Sequence, residues 1–324
     1  MNSFDLCGLL GIEVPILGGA MTGVSGPALT AAISEAGALG IYATGMHSND
    51  LGAVREEIQE CRHLTKKPFG VNVAMVAPIA DELMKYLCEE GVAAVTTGAG
   101  NPAKYVPMLK EAGVKILPVI GAPKHALKMA SAGVDAIVAE GMESGGNAGH
   151  MTTLPLIPAV RDRVDLPVVA AGGIVDGRGM AAAFALGACG VQMGTRFMLS
   201  REAGLCEAAQ EFLLSKDGSE TLVLGQRVGN KVNARAVMCP GVQKILDFEQ
   251  QPGVGIPEYK AFLGRDRTIK GMYEGDLEDG YISAGMGIGV ITEILSCREI
   301  VEKTMEEFRA ICAAMPTQNK EGRV

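Results

Sequence analysis

The stretch Pro167–Arg196, PVVAAGGIVDGRGMAAAFALGACGVQMGTR, holds two short apolar runs separated by an alanine-rich segment. Each run is too short for a helix and too continuously apolar for a half-exposed strand, so each reads as a strand buried on both faces. Gly172 and Gly173 follow the first run, and Gly194 and Thr195 follow the second. Two strands joined by a helical crossover are parallel, so both sets of small residues fall at the same end of the sheet. Small residues there let backbone N–H groups point at an anion, and a following helix adds a favourable dipole. A phosphate held by the loops after strands seven and eight is a recurrent feature of closed (β/α)8 barrels. The plainer alternative is that these glycines only make tight turns.

Toward the N-terminus the strand unit recurs six times. VPILGGA (14–20), LGIYAT (39–44), FGVNVAM (69–75), AAVTTGA (93–99), KILPVIG (115–121) and AIVAEG (136–141) are short, apolar and rich in β-branched residues. Between them, NDLGAVREEIQECRHL (49–64) and IADELMKYLCEEG (79–91) carry apolar residues at helical spacing. Eight units repeating every 21–31 residues imply a parallel sheet with right-handed crossovers. The expected fold class is α/β, a (β/α)8 TIM barrel. An open doubly wound sheet is the runner-up, disfavoured because no GxGxxG opens the first helix. Beyond about residue 215 the alternation stops, and the chain carries a Gly-rich DGYISAGMGIGVI and a charged helical CREIVEKTMEEFRAI. The expected division is a barrel over 1–215 and a mainly helical extension over 216–324, packed near the barrel mouth.

The 324 residues are 48% hydrophobic, enough for one large core with an appendage. Net charge is −8, which argues against nucleic-acid binding and against an anionic membrane surface. No apolar run approaches the roughly 20 residues of a membrane span. The eight cysteines form no CxxC pair, so no metal or redox pair is expected. The opening MNSFDLCGLLGIEVP has no basic n-region, and with reduced thiols this points to a cytoplasmic protein.

The C-terminal strand ends form the active face of a parallel barrel. Asn72 interrupts FGVNVAM; a buried amide there either satisfies neighbouring backbone or pairs a flat heterocycle through donor and acceptor. Glu140 ends its strand and is placed either to cap the loop or to accept from a ligand. Met21, close to Gly19, suits either core or an aromatic ring against its sulfur. The sixth strand runs into AEGMESGGNAGHMTTLP (139–155), which offers Asn147 and His150 as acting groups.

VPILGGAM, KPFGVNVAM, VTTGAGNP, AEGMESGG, LPVVAAGGIVDGRGMAAAFALGA and VQMGTRFM, in this order through about residues 1–200, resemble the flavin-dependent enoyl-acyl-carrier-protein reductases of type II. The same motifs resemble their relatives, the nitronate monooxygenases. The resemblance implies an FMN-binding barrel with NADH or NADPH as electron source. It places Gly19 and Met21 at the flavin ring, Asn72 at its pyrimidine edge, and Glu140, Gly145 and Gly146 along the cofactor. It puts Gly172, Gly173, Gln192, Met193, Gly194 and Thr195 at the phosphate end. The implied reaction is hydride transfer from flavin N5 to a 2-enoyl thioester, free or on an acyl carrier. KPFGVNVAM and TTGAGNPAKY favour this branch, with nitronate oxidation as the alternative. Relatives are often dimers, so the resemblance allows a homodimer.

Two departures stand out. Both branches usually carry His directly after the Gly-Gly of the 139–155 loop, where this chain has Asn147. An amide donates to an oxyanion but carries no titrating proton. The expectation is that Asn147 polarises the acyl carbonyl and His150 donates the proton; a flavin-binding protein with changed or lost activity is a further alternative. In RVGNKVNAR, Asn230, Lys231 and Asn233 stand where the family often has His and Arg.

Overall fold

The computed structural model describes residues 4–147, 149–229 and 232–315. The strands, in chain order, are β1 Ile16–Gly18, β2 Gly40–Ala43, β3 Phe69–Ala74, β4 Ala94–Gly98, β5 Lys115–Ile120, β6 Ile137–Glu140, β7 Gly146–Asn147, β8 Val168–Ala171 and β9 Gly190–Met193. All but β7 form one parallel sheet in the order β1-β9-β8-β6-β5-β4-β3-β2. Gly18 N–H donates to Leu39 O at 2.8 Å and Leu39 N–H to Ile16 O at 2.9 Å, which closes the ring between β1 and β2. The fold is a (β/α)8 barrel, and the eight apolar runs read from the sequence are its eight strands.

Helix α1, Leu6–Leu10, is capped by Asp5, which accepts the Gly8 N–H at 2.8 Å. Its Leu6 and Leu10 join Val138, Val169 and Ala171 in the barrel interior and seal the floor. The crossovers are α2 Pro27–Glu35, α3 Leu51–Leu64, α4 Ala80–Glu90, α5 Val106–Glu111, α6 Pro123–Ala132, α7 Thr153–Arg161 and α8 Gly177–Ala185. Strand residues alternate between the two cores. Ile137, Ala139, Val168, Ala170, Val191 and Met193 face the helix layer, while their neighbours face the axis.

After β9 comes a single turn, α9 Thr195–Met198, and then the chain leaves the barrel. It forms α10 Glu207–Leu214, β10 Thr221–Leu224, β11 Ala234–Val237, α11 Pro240–Glu249 and α12 Ile256–Ile269, and returns as α13 Cys297–Ala314. Departure and return meet: Ser200 bridges Leu295 in parallel, and Arg201 N–H donates to Leu295 O at 2.9 Å. A Ser296–Glu299 capping box starts α13. This helix then lies against α8 and α2 and fills the eighth place in the helix layer. The approach is close. A Cβ on Gly177 of α8 would stand 2.4 Å from Phe308 N, and Gly177 N–H donates to Glu307 Oε2 at 2.8 Å.

A cut at residue 215 therefore does not follow the packing, because an element beyond it completes the barrel. We divide the chain instead into a barrel of residues 4–200 and 295–315, interrupted by an excursion over 201–294. The excursion has its own core, built on Leu224, Ala236, Val242, Ile245 and Tyr259, with Phe248 stacked on Phe262 at 4.0 Å. It is mainly helical as expected, but it also contains the β10–β11 hairpin, and β11 pairs antiparallel with β7. Among the described residues no helix is long and apolar enough to cross a membrane. No three His, Cys, Asp or Glu side chains among them gather as a metal site.

Candidate active site at the barrel mouth

A cavity of about 490 Å³ opens at the C-terminal ends of the strands, a volume within the range of cofactor sites. Asn72, Thr96, Glu140, Ala171 and Gln192 bring strand ends to it. The loops after β1, β6 and β8 form its sides, with segments 264–268 and 281–287 of the excursion above them.

Asn72 Nδ2 donates to Thr96 Oγ1 at 2.9 Å, and the Asn72 backbone carbonyl accepts from Thr44 Oγ1 at 2.8 Å. With its NH2 group engaged by the next strand, the amide keeps Oδ1 as its open acceptor. Burial pushes the Glu140 carboxyl up to about 7, because the charged form loses hydration that the cavity wall does not replace. Gly172 (φ 103°) and Gly173 (φ 71°) sit in the left-handed region. A Cβ on Gly172 would stand 2.8 Å from Gly141 O, so the loops after β6 and β8 touch backbone to backbone. Thr195 Oγ1 accepts the Gly285 N–H at 2.9 Å and ties the start of α9 to the excursion.

The loop after β6 is pinned from three directions. Glu143 accepts the Thr153 N–H at 2.9 Å, and the Thr153 hydroxyl lies 2.9 Å from Glu143 Oε2 and 3.0 Å from Gly172 O. Buried Arg235 donates from Nε to Met142 O at 3.0 Å and from Nη1 to Thr221 Oγ1 at 2.9 Å. Finally, β7 puts Asn147 opposite Ala234 of β11. Asn147 is thus held in the cavity wall by the excursion.

Eleven of the twelve residues expected at the cofactor line this cavity: Gly19, Met21, Asn72, Glu140, Gly145, Gly146, Gly172, Gly173, Gln192, Gly194 and Thr195. Met193 does not. It is fully buried in the core between strands and helices, since a strand that turns Gln192 to the axis turns its neighbour outward. His150 does not line the cavity either. Met142 N–H donates to Met151 O at 2.8 Å, and His150 is left exposed beside that closure. None of the four histidines is in the cavity wall. Asn233 is buried, and Asn230 and Lys231 lie outside the described residues. Sequence reading missed Ser144, Thr96 and the excursion's Arg265, Thr268, Tyr281 and Ser283. The only hint of the last group was the Gly-rich run around residue 285.

FMN fits these residues. The Asn72 acceptor suits a ring N–H, and the paired glycine loops suit a phosphate. The Ser144 hydroxyl is buried with no partner among the described residues and lies in the wall, where a ligand oxygen would satisfy it.

A closed barrel with this cavity and this glycine cradle at its mouth is the architecture of a flavin-dependent oxidoreductase. A family model for nitronate monooxygenase matches residues 4–307, and the chain belongs to that family. FabK from Thermotoga maritima is 43% identical with a TM-score of 0.89, over 95% of this chain and 96% of that one. A nitronate monooxygenase of Pseudomonas aeruginosa is 32% identical over 93% of this chain and 98% of its own. So is a (3aS,4S,5R,7aS)-5-hydroxy-7a-methyl-1-oxo-octahydro-1H-indene-4-carboxyl-CoA dehydrogenase of Rhodococcus jostii, at 32% over 91% of this chain and 92% of its own.

Proposed function

We propose that the chain is an FMN-dependent reductase of 2-enoyl thioesters that draws its electrons from NADH or NADPH. The observation that supports this is the cavity wall: Asn147, which directly follows the Gly-Gly of the loop, lines it, and no histidine among the described residues does. Reduction of an enoyl thioester needs a donor for the oxygen on which charge develops, and a neutral amide serves. Likeness to FabK and to a dehydrogenase named for a CoA thioester supports the substrate class.

Bound FMN would supply hydride at N5. Asn72 would hold the pyrimidine edge, Gly19 and Met21 the ring face, and Glu140, Gly145 and Gly146 the length of the cofactor. Gly172, Gly173, Gln192, Gly194 and Thr195 would hold the phosphate end. Asn147 donates to the acyl oxygen, and the proton for the α-carbon comes from water at the open side, where Asn147 is exposed. His150, outside the wall, has no part in this step.

Match to the nitronate monooxygenase family supports the second reading, oxidation of a nitronate with oxygen. Anaerobic spectroscopy separates them. NADH should bleach the flavin, and crotonyl-CoA should restore its colour. Restoration by oxygen alone, with a propyl nitronate bleaching the flavin in place of NADH, would favour the second reading. Bleaching by neither donor would leave a flavin-binding protein without this chemistry. His150→Ala should keep the wild-type rate; a drop of tenfold or so would return that residue to the mechanism.

A further inference from the structure

Among the described residues, two side chains of formal charge line the cavity: Glu140 among the strand ends and Arg265 on the excursion. Arg265 follows a break in α12. Gly264, at φ 52° and ψ 166°, is not helical, and it interrupts the helix where Gly264, Arg265 and Thr268 meet the cavity. Beyond the break Arg265 is exposed. Its hydrogen bond is a long one, Nη1 to Met46 O at 3.4 Å, across to the turn after β2. Among the described residues it joins no salt bridge.

Its neighbours differ. Arg267 is engaged by the carbonyls of Phe262 and Asp279, and Lys270 faces Asp276 and Asp279. In a chain of net charge −8, Arg265 is the one cation among the described residues that line the cavity.

Arg265 also borders a second hollow of about 410 Å³, which shares Val24 and Met46 with the first. The amino end of α2, His47, Glu57 and Glu202 bound that hollow. Its carboxylates are already occupied: Glu57 pairs with His47 at 3.3 Å, and Glu202 accepts the Cys297 N–H at 3.0 Å. Arg265 thus stands on the boundary between the two hollows, with Val24 and Met46.

We propose that Arg265 receives a phosphate ester of the ligand that enters the cavity. A guanidinium forks onto phosphate oxygens, and the weak Met46 contact is readily exchanged for that pairing. Phosphopantetheine thioesters and nicotinamide dinucleotides both carry such a group. Under the reductase reading, on which only the choice of carrier rests, the carrier is the thioester.

Binding to the FMN-loaded protein tests this without requiring turnover. Dissociation constants are measured from flavin absorbance for CoA and pantetheine, and from the concentration dependence of the anaerobic flavin-reduction rate for NADH and phosphate-free 1-benzyl-1,4-dihydronicotinamide. Arg265→Ala should weaken CoA about tenfold or more and leave pantetheine unchanged. Arg265→Lys should recover part of the loss, and FMN content should stay constant. A loss confined to NADH would keep the phosphate role and assign it to the dinucleotide. Equal losses for phosphate-bearing and phosphate-free ligands, or no loss for any, would overturn the proposal. Failure to reduce crotonyl-CoA, with the CoA effect present, would sink the reductase reading and leave Arg265 in its role.

Discussion

Glu140 ties the cavity to the stability of the fold. Its carboxyl, ordinarily near 4.5, is pushed up to about 7 by burial, so the folded chain holds a proton that the unfolded chain releases. The stability linked to that proton is fully present below the unfolded value and is lost as pH rises through the folded one. Protein stripped of flavin should lose on the order of 2–3 kcal/mol between about pH 5 and 8, and Glu140→Gln should flatten that fall. Thermal midpoints across this range decide it: parallel curves for the two proteins would mean that the carboxylate is well solvated. At Gly173, Asp would set a carboxylate beside Glu143, since a side chain begun at that glycine would place its first carbon 3.2 Å from Glu143 Cβ. Gly173→Asp should release FMN, whereas Gly173→Asn, which tolerates φ 71°, should retain most of it. Equal flavin content in the two variants would remove the phosphate from this loop. Asn72 and Glu140 were legible in the sequence because a polar residue inside a buried run has few other uses. Met193 was misplaced because a run of small and polar residues hides the two-residue period that separates it from Gln192.

Among the elements, the strands were the most legible, since each is a continuous apolar run between glycines. The β10–β11 hairpin was not, because its four-residue strands flank a polar connection and read as loop. The two residues of β7 have no pattern at all; their pairing is imposed by β11. Helix α13 was legible as a helix from its charge and spacing, but nothing local says which groove it fills. Gly177 does, in three dimensions. Gly177→Ala would drive a methyl toward Phe308 N and Thr304 O, at 2.4 and 2.6 Å, and backbone has no rotamer with which to yield. The expected cost is about 2–3 kcal/mol in urea unfolding. A cost under about 0.5 kcal/mol would place α13 elsewhere than against α8.

For the molecule as a whole, barrel and excursion are nested rather than consecutive. A chain ended at residue 215 lacks α13, whose Cys297, Ile300, Val301 and Met305 are buried, and leaves the groove between α2 and α8 uncovered. It should be largely unfolded or aggregated by circular dichroism and gel filtration. Replacing residues 201–294 by a short Gly-Ser link should instead preserve the barrel's secondary structure, because Ser200 and Leu295 already lie side by side. The opposite ranking of these two proteins would restore the break at residue 215. Flavin should be lost from the linked protein too, since Arg235 and the strand partner of Asn147 leave with the excursion.

Bringing Leu295 back beside Ser200 also sets an order of events during synthesis. All eight strands leave the ribosome while the groove reserved for α13 is still bare. Translation then adds the whole roof of the site before the helix that seals the wall. The nascent chain thus displays an apolar furrow while residues 194–296 are added, a natural landing place for a chaperone.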